Sequence, residues 1–90
     1  MERYLIIFKG RVQGVGFRYT AQRYAADFNL TGQVENLDNG DVRVEVQGEP
    51  LMINYFIRTM SNIRSYIHVD DYFSKQIELV QDEKRFSIKY

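Results

Sequence analysis

The stretch that most restricts the fold is residues 33 to 48, QVENLDNGDVRVEVQG. Val42, Val44 and Val46 alternate with Arg43, Glu45 and Gln47. A period of two marks a strand with one buried face and one wet face. Asn39-Gly40 precedes this run, and such a dipeptide supplies the positive φ angles of a tight hairpin turn. QVENLD and DVRVEVQ therefore read as two antiparallel strands joined at that turn. An isolated hairpin is marginal in water, so other elements must cover its valine face.

The flanking sequence supplies that cover. RYLIIF is apolar on both parities and suits a central strand. From Phe17 the apolar positions are Phe17, Ala21, Tyr24, Ala25 and Phe28, a helical spacing that NLTG ends near Asn29. GEP opens a second helix with Pro50 near its first position, where a missing N–H does no harm. Its apolar stripe is Met52, Phe56, Ile57, Met60 and Ile63. KQIELV and RFSIKY read as two further strands joined by the polar turn QDEK, and the charge run at residues 82–84 as a solvated turn. Residues 65–74 read mostly as loop. The order is β-α-β-β-α-β plus a terminal strand. With right-handed crossovers the expected fold class is α+β, a ferredoxin-like sandwich. It has an antiparallel sheet, both helices on one face and an extra C-terminal strand. The hairpin's second strand lies between its first strand and the N-terminal one. One domain is expected over residues 1–90.

Composition removes several functions. The chain has no cysteine, so disulfides, cysteine nucleophiles and paired-cysteine metal carriers of similar topology are excluded. Seven tyrosines and six phenylalanines make a packed core attainable. The run YLIIF is too short to span a membrane. A soluble chain of the cytoplasm is expected, with no membrane partner. Lys plus Arg equals Asp plus Glu, which counts against a nucleic-acid partner because phosphate contacts supply most of such affinity. RNA-recognition domains of this topology also need aromatic rings on the outer face of the middle strands. Here that face carries Arg43, Glu45 and Gln47. The single histidine, His68, reads as a strand-edge side chain rather than a ligand or base.

The chemistry-bearing candidate is GRVQGVGFR, residues 10–18. It holds three glycines and no acid. Gly14 and Gly16 can aim successive N–H groups into a concavity, and Arg18 offers a planar fork suited to phosphate oxygens. The topology places this loop, the N-terminus of the first helix and the far end of the hairpin's first strand at one end of the sheet. The two strands concerned are two spacings, roughly 10 Å, apart, a gap an extended arginine largely covers. Asn36 shares the core face with Val34 at that end. The pattern by itself leaves a plain turn and an anion cradle equally open. It is neither a Walker loop nor a dinucleotide fingerprint, since no Lys-Ser/Thr follows and Tyr19 replaces a third glycine. Arg11 reads as solvated, Tyr19 and Arg23 as surface residues of the helix, and Asp38 and Asp41 as turn residues.

GRVQGVGFR, followed by GQVENLDNGDVRVEVQG and the terminal FSIKY, resembles the acylphosphatases over nearly the whole chain. The resemblance implies an enzyme that hydrolyses carboxyl phosphates to carboxylate and inorganic phosphate, without metal or cofactor. It implies Arg18 as the phosphate-binding arginine and Asn36 as the asparagine that positions water. It implies a phosphate cradle on the backbone of Gln13, Gly14, Val15, Gly16 and Phe17. The expected partners are a small acyl phosphate and its product phosphate, and the expected state is a monomer. Gln33 stands where the family often has tryptophan, and Gly16 where some members carry a bulky aromatic residue. The stretch RSYIHVDDYFSKQ lacks the proline or glycine expected there. The competing expectation is a non-catalytic, phosphate-binding regulatory domain of the same fold.

Overall fold

The computed structural model describes residues 1–90. Its elements are β1 (Glu2–Arg11), α1 (Phe17–Asp27), β2 (Thr31–Asn36), β3 (Val42–Gly48), α2 (Pro50–Ser61), β4 (His68–Ile77) and β5 (Phe86–Lys89). The strands form one sheet in the order β4-β1-β3-β2-β5. β3 lies between β1 and β2, as the crossovers require.

One face of the sheet carries the core. Ile6 and Phe8 of β1, Val34 of β2, and Val42, Val44 and Val46 of β3 are fully buried. α1 covers them with Phe17, Ala21 and Ala25, and α2 with Ile53, Phe56 and Met60. Both helices thus share one cluster on one face, the ferredoxin-like α+β arrangement. Ile53 lies outside the expected stripe of α2, whereas Met52, Ile57 and Ile63 are only partly buried. Each large side chain in this cluster contributes about 1.5–3 kcal/mol by leaving water.

Four expectations change. First, residues 68–74 are not loop; they begin β4, which pairs with β1 from Arg3↔Ile77 to Arg11↔His68. β4 is an edge strand exposed along most of its length, so it lacks the alternation that reveals half-buried strands. Its end at Ile77 leaves Glu78, Leu79 and Val80 outside the ladder. Second, β4 and β5 are not neighbours but opposite edges, and β5 pairs parallel with β2. The sheet is therefore mixed. The link between them crosses the outer face, so β5 starts at the same end as β2 and runs alongside it.

Third, that crossing means residues 82–84 are not simply solvated. Arg3 is only 2% exposed. Its guanidinium donates to Glu83 Oε1 at 2.8 Å, Glu45 Oε1 at 3.0 Å and Gln47 Oε1 at 3.2 Å. Gln47 in turn accepts from Val80 N–H at 2.8 Å and donates to Val80 O at 3.0 Å. Burial works to raise the Glu83 carboxyl, but hydrogen bonds from Arg3 and Thr31 and the Arg3 charge outweigh it and hold it below its ordinary value. Fourth, the hairpin turn is longer than Asn-Gly implies. Only Gly40 has positive φ, at 96°. Gly40 N–H donates to Leu37 O at 3.2 Å, and Leu37 N–H to Asp41 O at 2.9 Å. Asp38, Asn39 and Gly40 thus form a three-residue turn with glycine in the left-handed position.

Candidate active site

The loop between β1 and α1 is anchored at both ends. Val12 and Phe17 are each 1% exposed, and the Phe17 ring packs on Phe8 with centroids 5.0 Å apart. Between these anchors the backbone alternates. Gly14 has φ 72° and Gly16 φ 84°, while Gln13 and Val15 keep negative φ. Such alternation of φ is the backbone pattern that can turn successive N–H groups to the same side. A Cβ at Gly14 or Gly16 would meet nothing within 4 Å, so the backbone angle, not crowding, calls for glycine there.

α1 begins at the end of this loop. Its N-cap, Gly16, offers no side-chain cap, and its first turn has no acid. The N–H groups of that turn and the positive end of the helix dipole are therefore left without a side-chain partner at the loop. Thr20 secures the junction by donating from Oγ1 to Gly16 O at 2.9 Å.

Arg18 forms no ion pair with any carboxylate of the chain. Its guanidinium carbon lies 5.0 Å from the centroid of the Tyr90 ring. The Tyr90 hydroxyl is 3.3 Å from that of Tyr19. That hydrogen bond, and then desolvation, raise the Tyr90 phenol above its ordinary value, with the Arg18 charge opposing. β5 runs parallel to β2 with Val34↔Ile88 and Glu35↔Lys89 in register. One step further along both strands sets Tyr90 beside Asn36, so Arg18 leans toward the end of β2.

Asn36 is the last residue of β2 and pairs with Val42. Its Oδ1 is shielded from solvent, and no protein group donates to it. Leaving such an oxygen unpaired costs about 1–3 kcal/mol. The structure thus brings Arg18, the loop and Asn36 to one end of the sheet.

Two groups were not singled out by sequence reasoning. One is Tyr90, whose only signal is its place at the end of FSIKY. The other is the side chain of Gln13, expected to contribute backbone alone. Its Nε2 donates to Leu37 O at 2.7 Å and to Asp41 O at 2.8 Å. Arg11 is exposed, as read, and Asp38 lies in the turn and is exposed, whereas Asp41 also pairs with Lys9 Nζ at 2.7 Å. His68 is an exposed edge residue 3.0 Å from Asp70. The surface clefts, of 380 to 470 Å³, include no residue of 13–18 and not Asn36. No helix is long and apolar enough to cross a membrane.

Fold and loop together define a class: a ferredoxin-like α+β protein with a glycine-rich loop, two of its glycines in the left-handed region, leading into its first helix. The model of the acylphosphatase family matches residues 4–88. An acylphosphatase of Clostridium acetobutylicum is 44% identical over 90 residues, spanning 100% of this chain and 99% of the relative. The crystal structure of acylphosphatase from Bacillus subtilis superposes with a TM-score of 0.94 at 37% identity, with all of both chains covered. Full-length HypF, in a phosphate- and nucleotide-bound form, matches at TM-score 0.86 and 33% identity over 99% of this chain but 12% of its own. The chain belongs to the acylphosphatase family.

Proposed function

We propose that the chain hydrolyses acyl phosphates, using the 13–17 backbone and Arg18 to hold the phosphoryl group and Asn36 to hold the attacking water. The observation that carries this reading is the carboxamide of Asn36. Asn36 ends β2 at the end of the sheet where the loop follows β1, and its oxygen accepts from no protein group. A site that must orient a water needs an amide not committed to the protein, and Asn36 supplies one at that place.

The chemistry asks for little more. A carboxylate is a good leaving group, so phosphoryl transfer depends on positioning and charge stabilisation rather than a strong base. The loop N–H groups, the helix N-terminus and Arg18 stabilise charge on the non-bridging oxygens. Water held by Asn36 attacks phosphorus in line. The new P–O bond forms as the bond to the acyl oxygen breaks, and the carboxylate leaves with that electron pair. The water proton passes to a phosphate oxygen. No carboxylate or histidine belongs to the site, so substrate-assisted proton transfer matches the residues present.

Benzoyl phosphate hydrolysis, followed by ultraviolet absorbance with and without excess inorganic phosphate, tests the proposal. Turnover with competitive inhibition by phosphate is expected. Phosphate binding without turnover would instead establish a binding domain, the role the competing reading assigns. Arg18→Ala should lower turnover by about 10²–10³-fold and weaken phosphate binding, with the circular dichroism spectrum unchanged.

A further inference from the structure

β1 and β2 are not neighbours; β3 separates them. No ladder hydrogen bond therefore fixes the loop after β1 against the end of β2. The site is split across that gap, with the loop and Arg18 on one side and Asn36 on the other. Loop residues 12–16 make side-chain hydrogen bonds across it at one point, Gln13. Both of its recipients, Leu37 O and Asp41 O, belong to the hairpin end that directly follows Asn36. Leu37 N–H also closes on Asp41 O, so Gln13 grips the turn at its closing bond.

We infer that the Gln13 side chain is a positioning residue that sets the distance between the bound phosphoryl group and the water on Asn36. This rests on the acyl-phosphate reading of the same site. Its amide spends two donors on carbonyls at 2.7 and 2.8 Å, leaving the backbone N–H free to serve the loop. The two halves then approach as one body. Loss of the brace leaves the loop, its glycines and Arg18 intact, so phosphate still binds. What loosens is the line of attack, and a misplacement near 1 Å costs about 100-fold in rate.

The test compares wild type with Gln13→Met, which keeps the length and packing of the side chain without its donors, and Gln13→Glu, whose carboxylate repels both carbonyls. Turnover of benzoyl phosphate, the dissociation constant of inorganic phosphate and thermal melting are measured on each. The expected result is a kcat about 10- to 100-fold lower in both variants, lowest in Gln13→Glu, with phosphate affinity within about twofold. In an Asn36→Ala background the further loss on Gln13→Met should shrink to about twofold, because the two residues act as one unit. A kcat within about twofold of wild type for Gln13→Met would overturn the inference, as would kcat and phosphate affinity falling together. Wild-type protein inert toward acyl phosphates would instead refute the functional reading on which the inference stands.

Discussion

In the proposed function, single residues carry the division of labour. Asn36 has a buried oxygen without a donor, a cost borne by the fold. Asn36→Val should remove it and raise stability by about 1 kcal/mol in urea titration, while abolishing turnover. Gly16 serves the opposite balance. At φ 84° an alanine meets no steric neighbour but pays for the left-handed backbone. Gly16→Ala should lower stability by about 1–2 kcal/mol and weaken phosphate binding, read by urea titration and calorimetry. The placement of Arg18 and Asn36 at one end of the sheet was legible in the sequence because each sits in a short motif at a fixed place relative to a strand. Gln13 and Tyr90 were not, because their roles arise from partners 24 or more residues distant in sequence.

Elements were legible where burial is one-sided. The valines of β3 announce a strand with one face in the core, and the helices follow from their apolar stripes. β4 was missed over residues 68–74 because an exposed edge imposes no alternation. The parallel pairing of β5 depends on how residues 78–85 cross the sheet, which no local pattern records. Asn-Gly located the turn but not its length, since Gly40 alone takes the left-handed angle. The crossing segment has its own energetic role through Glu83 and Arg3. The Glu83 carboxyl titrates lower when folded than unfolded. Its contribution is therefore fully present above the unfolded value, roughly pH 4.3, and is lost as pH falls through the lower folded value. Glu83→Gln should cost about 1–2 kcal/mol at pH 7 and flatten the acid limb of stability. Chemical denaturation between pH 3 and 7 checks both, and turnover at pH 7 should not change because Glu83 lies on the outer face.

At the scale of the whole molecule, the fold's contribution is to gather parts that the chain keeps separate. β1 delivers the loop, α1 begins within it, and β2 ends beside it, all at one end of a sheet whose other face is closed by Arg3 and its carboxylates. The net charge is zero, so under the proposed function attraction for a phosphate would come from this local arrangement rather than from a basic surface. The match to a segment of full-length HypF shows that a similar unit also occurs inside a much longer chain. The central claim is that binding and water positioning reside on different elements. It is tested most directly by measuring benzoyl phosphate turnover and inorganic phosphate affinity together in Asn36→Ala. Turnover lower by at least about 100-fold with phosphate affinity within about twofold of wild type is the expected result. Turnover close to wild type, or phosphate affinity lost in step with turnover, would contradict it.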